Sequence, residues 1–369
     1  MKITALRTVT AIAAVLLTAG TLTACSGNST PAENPASSGA SQAPASSSAK
    51  IALLLPESKT TRYEAYDRPL FEQKVKELCP DCTVVYSNAD QDAAKQQQQA
   101  ESALTQGVKV MVLDPVDSSA AASIVEEATA QNVPVISYDR LINSNKIAFY
   151  LSFDNEKVGV LQATALDAKL KEDGKDTGNI IMINGSPTDN NAVLFKKGAH
   201  SVFDKSGLKI LAEFDTPDWS PDQAQQWMAG QVTKFSGQID GVYAANDGTA
   251  GGAIAAMKAA GVNPIPPVTG QDAELAGIQR IVSGDQYMTI YKALKQEAET
   301  AAQLAVDVVN GVTLTGTSGA TDGVPTTLLV PVVVTVKNIM DTVVKDGFYT
   351  VAQICTPEYA AACTAAGIK

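Results

Sequence analysis

The sequence predicts an α/β protein built from two similar lobes, each a doubly wound parallel sheet. From Lys50 onward, short β-branched runs alternate with longer segments whose apolar residues recur at three and four spacing, the pattern of parallel strands joined by crossover helices. Several runs, Ile51–Leu55 among them, are apolar along nearly their whole length, as strands are when helices cover both faces of a sheet. The series runs twice, and 369 residues suffice for two domains of ordinary size.

In chain order, the first element stands apart from the fold. Lys2 and Arg7 precede the apolar run Val9–Leu17, and small residues lead to Leu22-Thr-Ala-Cys25. A charged start, a short apolar stretch and a small-residue cleavage site make residues 1–24 an export signal. The run is too short for a bilayer core of ~30 Å, which needs about 20 residues of helix. The ending resembles a bacterial lipobox, which implies that Cys25 is diacylated and becomes the new N-terminus; a soluble protein cut near Ala24 is the alternative. Residues 25–49 read as a lipid-anchored disordered tether. Ser26–Ala49 is dominated by Ser, Ala, Pro, Gly and Asn, with Glu33 its one charged residue, a composition that cannot bury enough surface to offset ordering. Its reach is roughly 25–30 Å. The body is therefore expected outside the cytoplasm, on the outer face of the cell membrane and attached only through the lipid.

Strands are expected in the first half at Ile51–Leu55, Thr83–Tyr86, Val108–Leu113 and Val133–Ser137. In the second half they are expected at Ile180–Ile183, Lys209–Glu213, Gly241–Ala244 and Pro267–Thr269. The helices between them show stop signals, as at Gly261 after Ile254 and Met257. Beyond Cys25, four Cys remain: Cys79-Pro-Asp-Cys82, and Cys355 with Cys363. In an exported protein an even set favours disulfides, and proximity favours the two local pairs. A redox CxxC would sit at a helix start, where the dipole lowers the thiol pKa, whereas Cys79 and Cys82 fall between a helical segment and a strand. A four-Cys zinc site is the other alternative on spacing.

Ligands of open parallel sheets bind outside the carboxyl ends of the strands. There the sequence places Arg62 and Tyr63, then Asp139 and Arg140, and in the second half Asp189-Asn190-Asn191, Trp219, Asn246-Asp247 and Gln271-Asp272. Asp114, Asp117, Asp154 and Asp247 read as helix caps or solvated loop acids, and Gln96–Gln99 as a solvated helix face. The remaining carboxylates, amides and guanidinium groups, with two aromatics, converge on one region. A polyol fits them. Each hydroxyl both donates and accepts, so a dry site supplies carboxylates beside Arg, Lys and Asn donors, and a sugar's C–H faces rest on flat rings such as Tyr63 and Trp219. Trp227 is expected in helix packing instead.

Other chemistries have less to draw on. The net charge of −11 argues against a nucleic-acid partner. The one His, His200, lies in the helical stretch Lys196–Phe203, so a zinc cluster or a Ser-His-Asp triad would rest on it alone. Phosphate-binding GxxxxGK[ST] and GxGxxG motifs are absent, and Gly248–Gly252 reads as close packing at a helix start. Arg and Lys beside the paired acids would hold them ionised, a poor setting for a general acid. Asn88-Ala-Asp90-Gln-Asp92 begins like a calcium loop, but Ala93 replaces the turn glycine. No catalytic activity, metal or cofactor is expected.

Six segments resemble, in order and with little gapping between about Lys50 and Phe348, the D-xylose-binding proteins of bacterial ABC importers. They are Ser137-Tyr-Asp-Arg-Leu-Ile-Asn143, Phe149–Gly159, Gly185-Ser-Pro-Thr-Asp-Asn-Asn191, Asn246–Ile254, Gly270-Gln-Asp-Ala-Glu-Leu-Ala-Gly-Ile278 and Met288–Lys292. The family belongs to the pentose and hexose group of type I periplasmic binding proteins. The resemblance implies two lobes joined by a three-strand hinge, with crossings near Leu151–Phe153, Ile290–Lys292 and Val330–Val333. The N-terminal lobe would take residues 50–152 and 292–331, and the C-terminal lobe 153–291 and 332–369. It further implies a sugar enclosed by Arg62, Asp139, Arg140, Asp189, Asn191, Asn246, Asp272 and Lys292. Trp219 would be the stacking ring, with Tyr63 where relatives usually carry Trp. D-xylose is the first expected ligand, glucose or arabinose the next, and a monomer delivering the sugar to ABC permease subunits is the expected role. A glucose, arabinose or multi-sugar binding protein acting in chemosensing is the alternative. A sugar-responsive repressor would carry a helix-turn-helix where the export signal and tether stand. The tail from Cys355 to Lys369 extends past the matching pattern.

Overall fold

The computed structural model describes residues 48–369, so the export signal, Cys25 and nearly all of the tether lie outside the described residues. The tether was expected to run to residue 49, but Ala49 already belongs to the fold: it is buried, and its carbonyl accepts from Thr83 N at 2.9 Å.

Strand β1 (Lys50–Leu55) lies between β2 (Thr83–Asn88) and β3 (Val110–Leu113), followed outward by β4 (Val135–Tyr138) and β5 (Phe149–Phe153), each parallel to its neighbour. The uniform apolarity of β1 follows from its two covered faces. Ile51, Leu53 and Leu55 meet Phe71 and Val75 of helix α1 (Arg68–Leu78), while Ala52 and Leu54 meet Ala100 and Leu104 of α2 (Ala93–Thr105) and Ile124 of α3 (Ala122–Ala130). Alternate residues of a strand point to opposite faces, so a strand with helices on both sides has no position left for a polar side chain.

The second sheet is assembled by the same logic. After α4 (Asn155–Glu172) come β6 (Asn179–Asn184), α5 (Asn190–Phe203), β7 (Lys209–Asp215), α6 (Pro221–Lys234), β8 (Gly241–Ala244) and α7 (Asp247–Ala259). The parallel order is β7-β6-β8. Ile180 and Met182 of β6 pack with Val158 and Leu166 of α4, and Ile181 and Ile183 with Met228 of α6 and Met257 of α7. Helices α4 and α5 cross closely enough that a Cβ on Gly159 would lie 1.9 Å from the Phe195 carbonyl oxygen. The strand expected at Pro267–Thr269 reduces to one bridge, Val242 to Val268. Pro264, Pro266 and Pro267 have no N–H to give to a ladder.

Helix α8 (Leu275–Ser283) leads into β9 (Met288–Tyr291), and α9 (Leu294–Val309) then returns to the first sheet, where Ala298, Ala301, Ala302 and Ala305 join the core against α1. Strands β10 (Ala320–Thr321) and β11 (Val324–Leu329) extend that sheet to the order β10-β11-β5-β4-β3-β1-β2. Strand β12 (Val332–Thr335) pairs antiparallel with β9. The chain thus passes between the two sheet systems after Phe153, after Tyr291 and between Leu329 and Val332. The tail, with short helices α10 (Val351–Ile354) and α11 (Ala360–Ala365), packs Tyr349, Ile354, Cys363 and Ile368 against Ile278 and Ile281 of α8. Cys79 sits beside Cys82 just past α1, and Cys355 beside Cys363 in the tail, each pair within bonding distance.

Candidate functional site

All ten candidate side chains line one cavity: Arg62, Tyr63, Asp139, Arg140, Asp189, Asn191, Trp219, Asn246, Asp272 and Lys292. They arrive on loops at the carboxyl ends of strands or on the helix starts that follow. Three adopt left-handed backbone, Asp139 at φ 53°, Trp219 at 54° and Asp272 at 86°. Residues other than Gly rarely occupy that region, and those that do gather at functional sites.

Arg62 is held from three directions. Its Nε and Nη2 donate to Asp67 at 2.9 and 2.8 Å, Nη1 to Asp139 at 2.7 Å, and Nη2 also to Glu297 at 2.8 Å. Tyr138 adds its hydroxyl to Asp67. Arg140 reaches Asp189 through Nε at 3.0 Å and donates from Nη2 to the Tyr63 hydroxyl at 3.1 Å and from Nη1 to the Pro115 carbonyl at 3.2 Å. Both guanidinium groups lie near the Tyr63 ring, at 5.2 and 5.8 Å from its centroid. These buried forks fix the carboxylates facing the cavity in orientation as well as charge.

The other wall comes from the second sheet. Asp189 caps α5, its Oδ1 accepting from Asn191 N at 2.8 Å while Oδ2 accepts from Trp219 Nε1 at 3.0 Å. Trp219 fits because position 185 is glycine: a Cβ there would stand 2.0 Å from the indole. Asn191 donates to the Asp139 side chain at 3.2 Å and takes a hydrogen bond from Asn155 at 2.9 Å. Asn246 caps α7 through Oδ1, which accepts from Thr249 N at 2.9 Å; this leaves Nδ2 as the end that can serve the cavity. Lys292, just past β9, stands 3.5 Å from Asp139 and 3.4 Å from Asp272. Beside the cavity, Ser118 N donates to the Thr188 carbonyl at 3.0 Å and Asn190 N to Ser118 Oγ at 3.2 Å, which links the loop after β3 to the loop before α5.

The protonation states follow from this arrangement. Burial alone would raise the Asp139 carboxyl, but Arg62, Lys292 and Arg140 outweigh it and hold Asp139 below its ordinary value. Burial likewise opposes the charge of Lys292, yet Asp139 and Asp272 keep its pKa raised. Asp189 differs: its burial outweighs Arg140 and the hydrogen bonds from Asn191 and Trp219, and its pKa rises. Basic neighbours therefore hold the pKa of Asp139 down, whereas at Asp189 they offset only part of the rise that burial causes.

Two acids expected at caps or in solvent are elsewhere. Asp114 is fully buried behind Arg140, 3.6 Å from its Nε, with both oxygens lacking a hydrogen-bond partner among the described residues, and burial pushes its pKa well up. Asp247 is also fully buried. It accepts from Gln286 at 2.6 Å and from Thr289 Oγ1 and Glu274 N at 2.9 Å, and burial lifts it to about 7. Sequence position at a strand end marks both acids, but nothing in their neighbours signals the burial. Gln96 also departs from the solvated face assigned to it; it is buried, donating to the Asp114 carbonyl at 2.8 Å and accepting from Val116 N at 2.9 Å. Asp117 and Asp154 do accept from the backbone at turn and helix starts. Asp92 caps α2, and Asp90 pairs with Lys95. His200 lies on α5, partly exposed, between Asp204 at 3.1 Å and Glu213 at 3.2 Å.

Thr60, Phe195 and Gln271 line the cavity in addition to the ten. Phe195 sits one helical turn after Asn191, so helical spacing could have found it.

Comparison with known proteins agrees with this architecture. Residues 51–313 match the periplasmic binding protein domain. The chain is 39% identical over 313 residues to the D-xylose-binding periplasmic protein of Escherichia coli (strain K12), covering 83% of this chain and 92% of that protein. It is 38% identical over 308 residues to the D-xylose-binding periplasmic protein of Haemophilus influenzae, covering 82% and 90%. Among solved structures, an ABC transporter solute binding protein from Clostridium phytofermentans with bound β-D-glucose superposes with a TM-score of 0.76 at 27% identity, over 83% of this chain and 99% of that one. A cleft lined by loops of two parallel α/β sheets, in a chain whose relatives are named as sugar- and solute-binding proteins, defines the class as a solute-binding protein. The chain belongs to the periplasmic binding protein family.

Proposed function

We propose that this protein captures a monosaccharide in the cavity between its two sheets, D-xylose first and glucose or arabinose next, and hands it to the permease subunits of an ABC importer. The observation that carries the reading is the composition of the cavity wall. Buried carboxylates of Asp139, Asp189 and Asp272 stand beside Arg62, Arg140 and Lys292, the amides of Asn191 and Asn246, and the rings of Tyr63 and Trp219. A sugar hydroxyl finds both an acceptor and a donor there, which lets each one exchange its water contacts for fixed partners. The relatives named for D-xylose and the structure holding β-D-glucose support the ligand order.

In this reading residues 50–152 with 292–331 and residues 153–291 with 332–369 close on the sugar as two lobes. Arg140–Asp189 and the Ser118–Thr188 bond are contacts between them. Cys25 carries the lipid, the protein acts as a monomer outside the cytoplasm, and both local cysteine pairs are oxidised there.

A thermal-shift panel of xylose, glucose, arabinose, ribose and galactose tests the proposal. A ligand held with micromolar affinity adds about 4 kcal/mol of stability at a thousandfold excess over Kd, so xylose should raise the melting temperature by several degrees. No shift with any of the five sugars would refute the reading.

A further inference from the structure

We infer that Gln271 is a further ligand-contacting residue and helps set which hydroxyl pattern the site accepts. The inference rests on the sugar-binding reading and deepens it. Gln271 lines the cavity, is 2% exposed, and its Oε1 has no hydrogen-bond partner among the described residues. A buried amide oxygen without a partner is costly to keep, and such atoms mark places where something else completes the bond.

The backbone that carries it is fixed on three sides. Gly270 accepts from Ile290 N at 3.0 Å, Asp272 N donates to the Ile290 carbonyl at 2.9 Å, and the Gln271 carbonyl itself accepts from Asp247 N at 3.0 Å. Successive side chains of an extended segment ordinarily point to opposite sides. Here Asp272 and Ala273 turn left-handed, at φ 86° and 51°, and the turn brings Asp272 onto the same cavity as Gln271. Asp272 is engaged with Lys292 at 3.4 Å. Gln271 therefore places a neutral amide, able both to donate and to accept, next to an ion pair.

The geometry assigns that amide to a hydroxyl adjacent to the one Asp272 serves. A carboxylate would only accept at this position, whereas an amide satisfies a hydroxyl through either of its ends. A ligand lacking that hydroxyl leaves the amide buried and unpaired, which is how polar sites reject close analogues.

Calorimetric titration of the protein with xylose and with the series of xylose analogues each lacking one hydroxyl tests this. Gln271→Leu should weaken xylose binding about tenfold, the loss of one neutral hydrogen bond in a buried site. It should also bind one deoxy analogue as tightly as the unaltered protein does, because the bond missing from that ligand is the bond missing from the variant. The other analogues should keep their full penalty. Gln271→Asn, which keeps an amide and shortens its reach, should show the same selective coupling and guards against a leucine variant that fails to fold. Equal weakening of every ligand, or no weakening, would overturn the role of Gln271 alone. Absence of any sugar binding by the unaltered protein would instead overturn the reading on which it rests.

Discussion

Replacing Asp189 by Asn keeps the shape of the side chain and removes its charge at the point where the two sheet systems meet. Oδ1 would still accept from Asn191 N, now at 2.8 Å, and so preserve the cap of α5. The new Nδ2 would then face Arg140 Nε and Trp219 Nε1, both donors now 3.0 Å from Oδ2. Breaking a buried pair costs about 3–5 kcal/mol when the partner is stranded. Asp114, 3.6 Å from the same Arg140 nitrogen, remains as a nearby acceptor and lowers the figure to roughly 2–4 kcal/mol, a loss of about 30- to 1,000-fold in affinity. The stability of the ligand-free protein should change by less than ~1 kcal/mol, because Arg140 can be solvated once the lobes part. Calorimetry with xylose and urea denaturation without it separate the two quantities. An affinity within threefold of the parent, or a stability loss as large as the affinity loss, would refute the idea that this pair acts between closing lobes.

Four further outcomes follow from the same geometry. Glu297→Gln should cost under ~1 kcal/mol in urea denaturation, since burial raises the Glu297 carboxyl well above its ordinary value and Gln copies the protonated form, whereas Glu297→Ala should cost about 2–3 kcal/mol by removing one of the three carboxyl groups that hold Arg62. Asp247 has its pKa raised by burial from 3.8 to about 7, so the folded state takes up a proton that the unfolded state has already released. Its contribution is present below pH ~4 and is lost as pH climbs through about 7; between pH 5 and 8 denaturation should show roughly 2–3 kcal/mol of decline that Asp247→Asn lacks. Changing both Cys355 and Cys363 to Ser should remove about 2–3 kcal/mol from the tail, with a closed loop of sequence separation 8, and hydrogen exchange should quicken across residues 351–365. Ser118→Ala should speed sugar release about fivefold with little change in association, as read by stopped-flow, because the Ser118 Oγ bond to Asn190 N at 3.2 Å is one of the contacts between the lobes in the proposed reading.

Much of this organisation is legible from residues because parallel strands wrapped by helices leave a plain signature. Ile51–Leu55 and Ile180–Ile183 announce themselves as doubly covered strands, and both are. The candidate site was reachable because strand ends can be located without knowing how the strands are ordered. What composition does not reveal is depth. Asp114 and Asp247 look like the capping acids Asp117 and Asp154, and only the packing of Arg140 over one and of Gln286 and Thr289 over the other sets them apart. Gln96 sits in a polar run, yet Asp114 and Val116 claim it. Gln271 was legible with Asp272 as a strand-end pair but was absent from the set that the family resemblance implies, and the left-handed turn beside it falls on an Asp and an Ala. Val324–Leu329 carries Pro325 and two Thr, a weak strand signal that pairing with β5 overrides.

Tryptophan emission offers the most direct test of the cavity as the ligand site. The chain has two Trp; Trp219 lines the cavity, and Trp227 stacks on Phe214 with ring centroids 5.1 Å apart. With Trp227→Phe, Trp219 becomes the single indole reporter. Titration with xylose should then shift its emission saturably with one site per chain, and adding Asp139→Asn should remove the response. A sugar that binds by calorimetry while Trp219 emission stays unchanged would contradict the account.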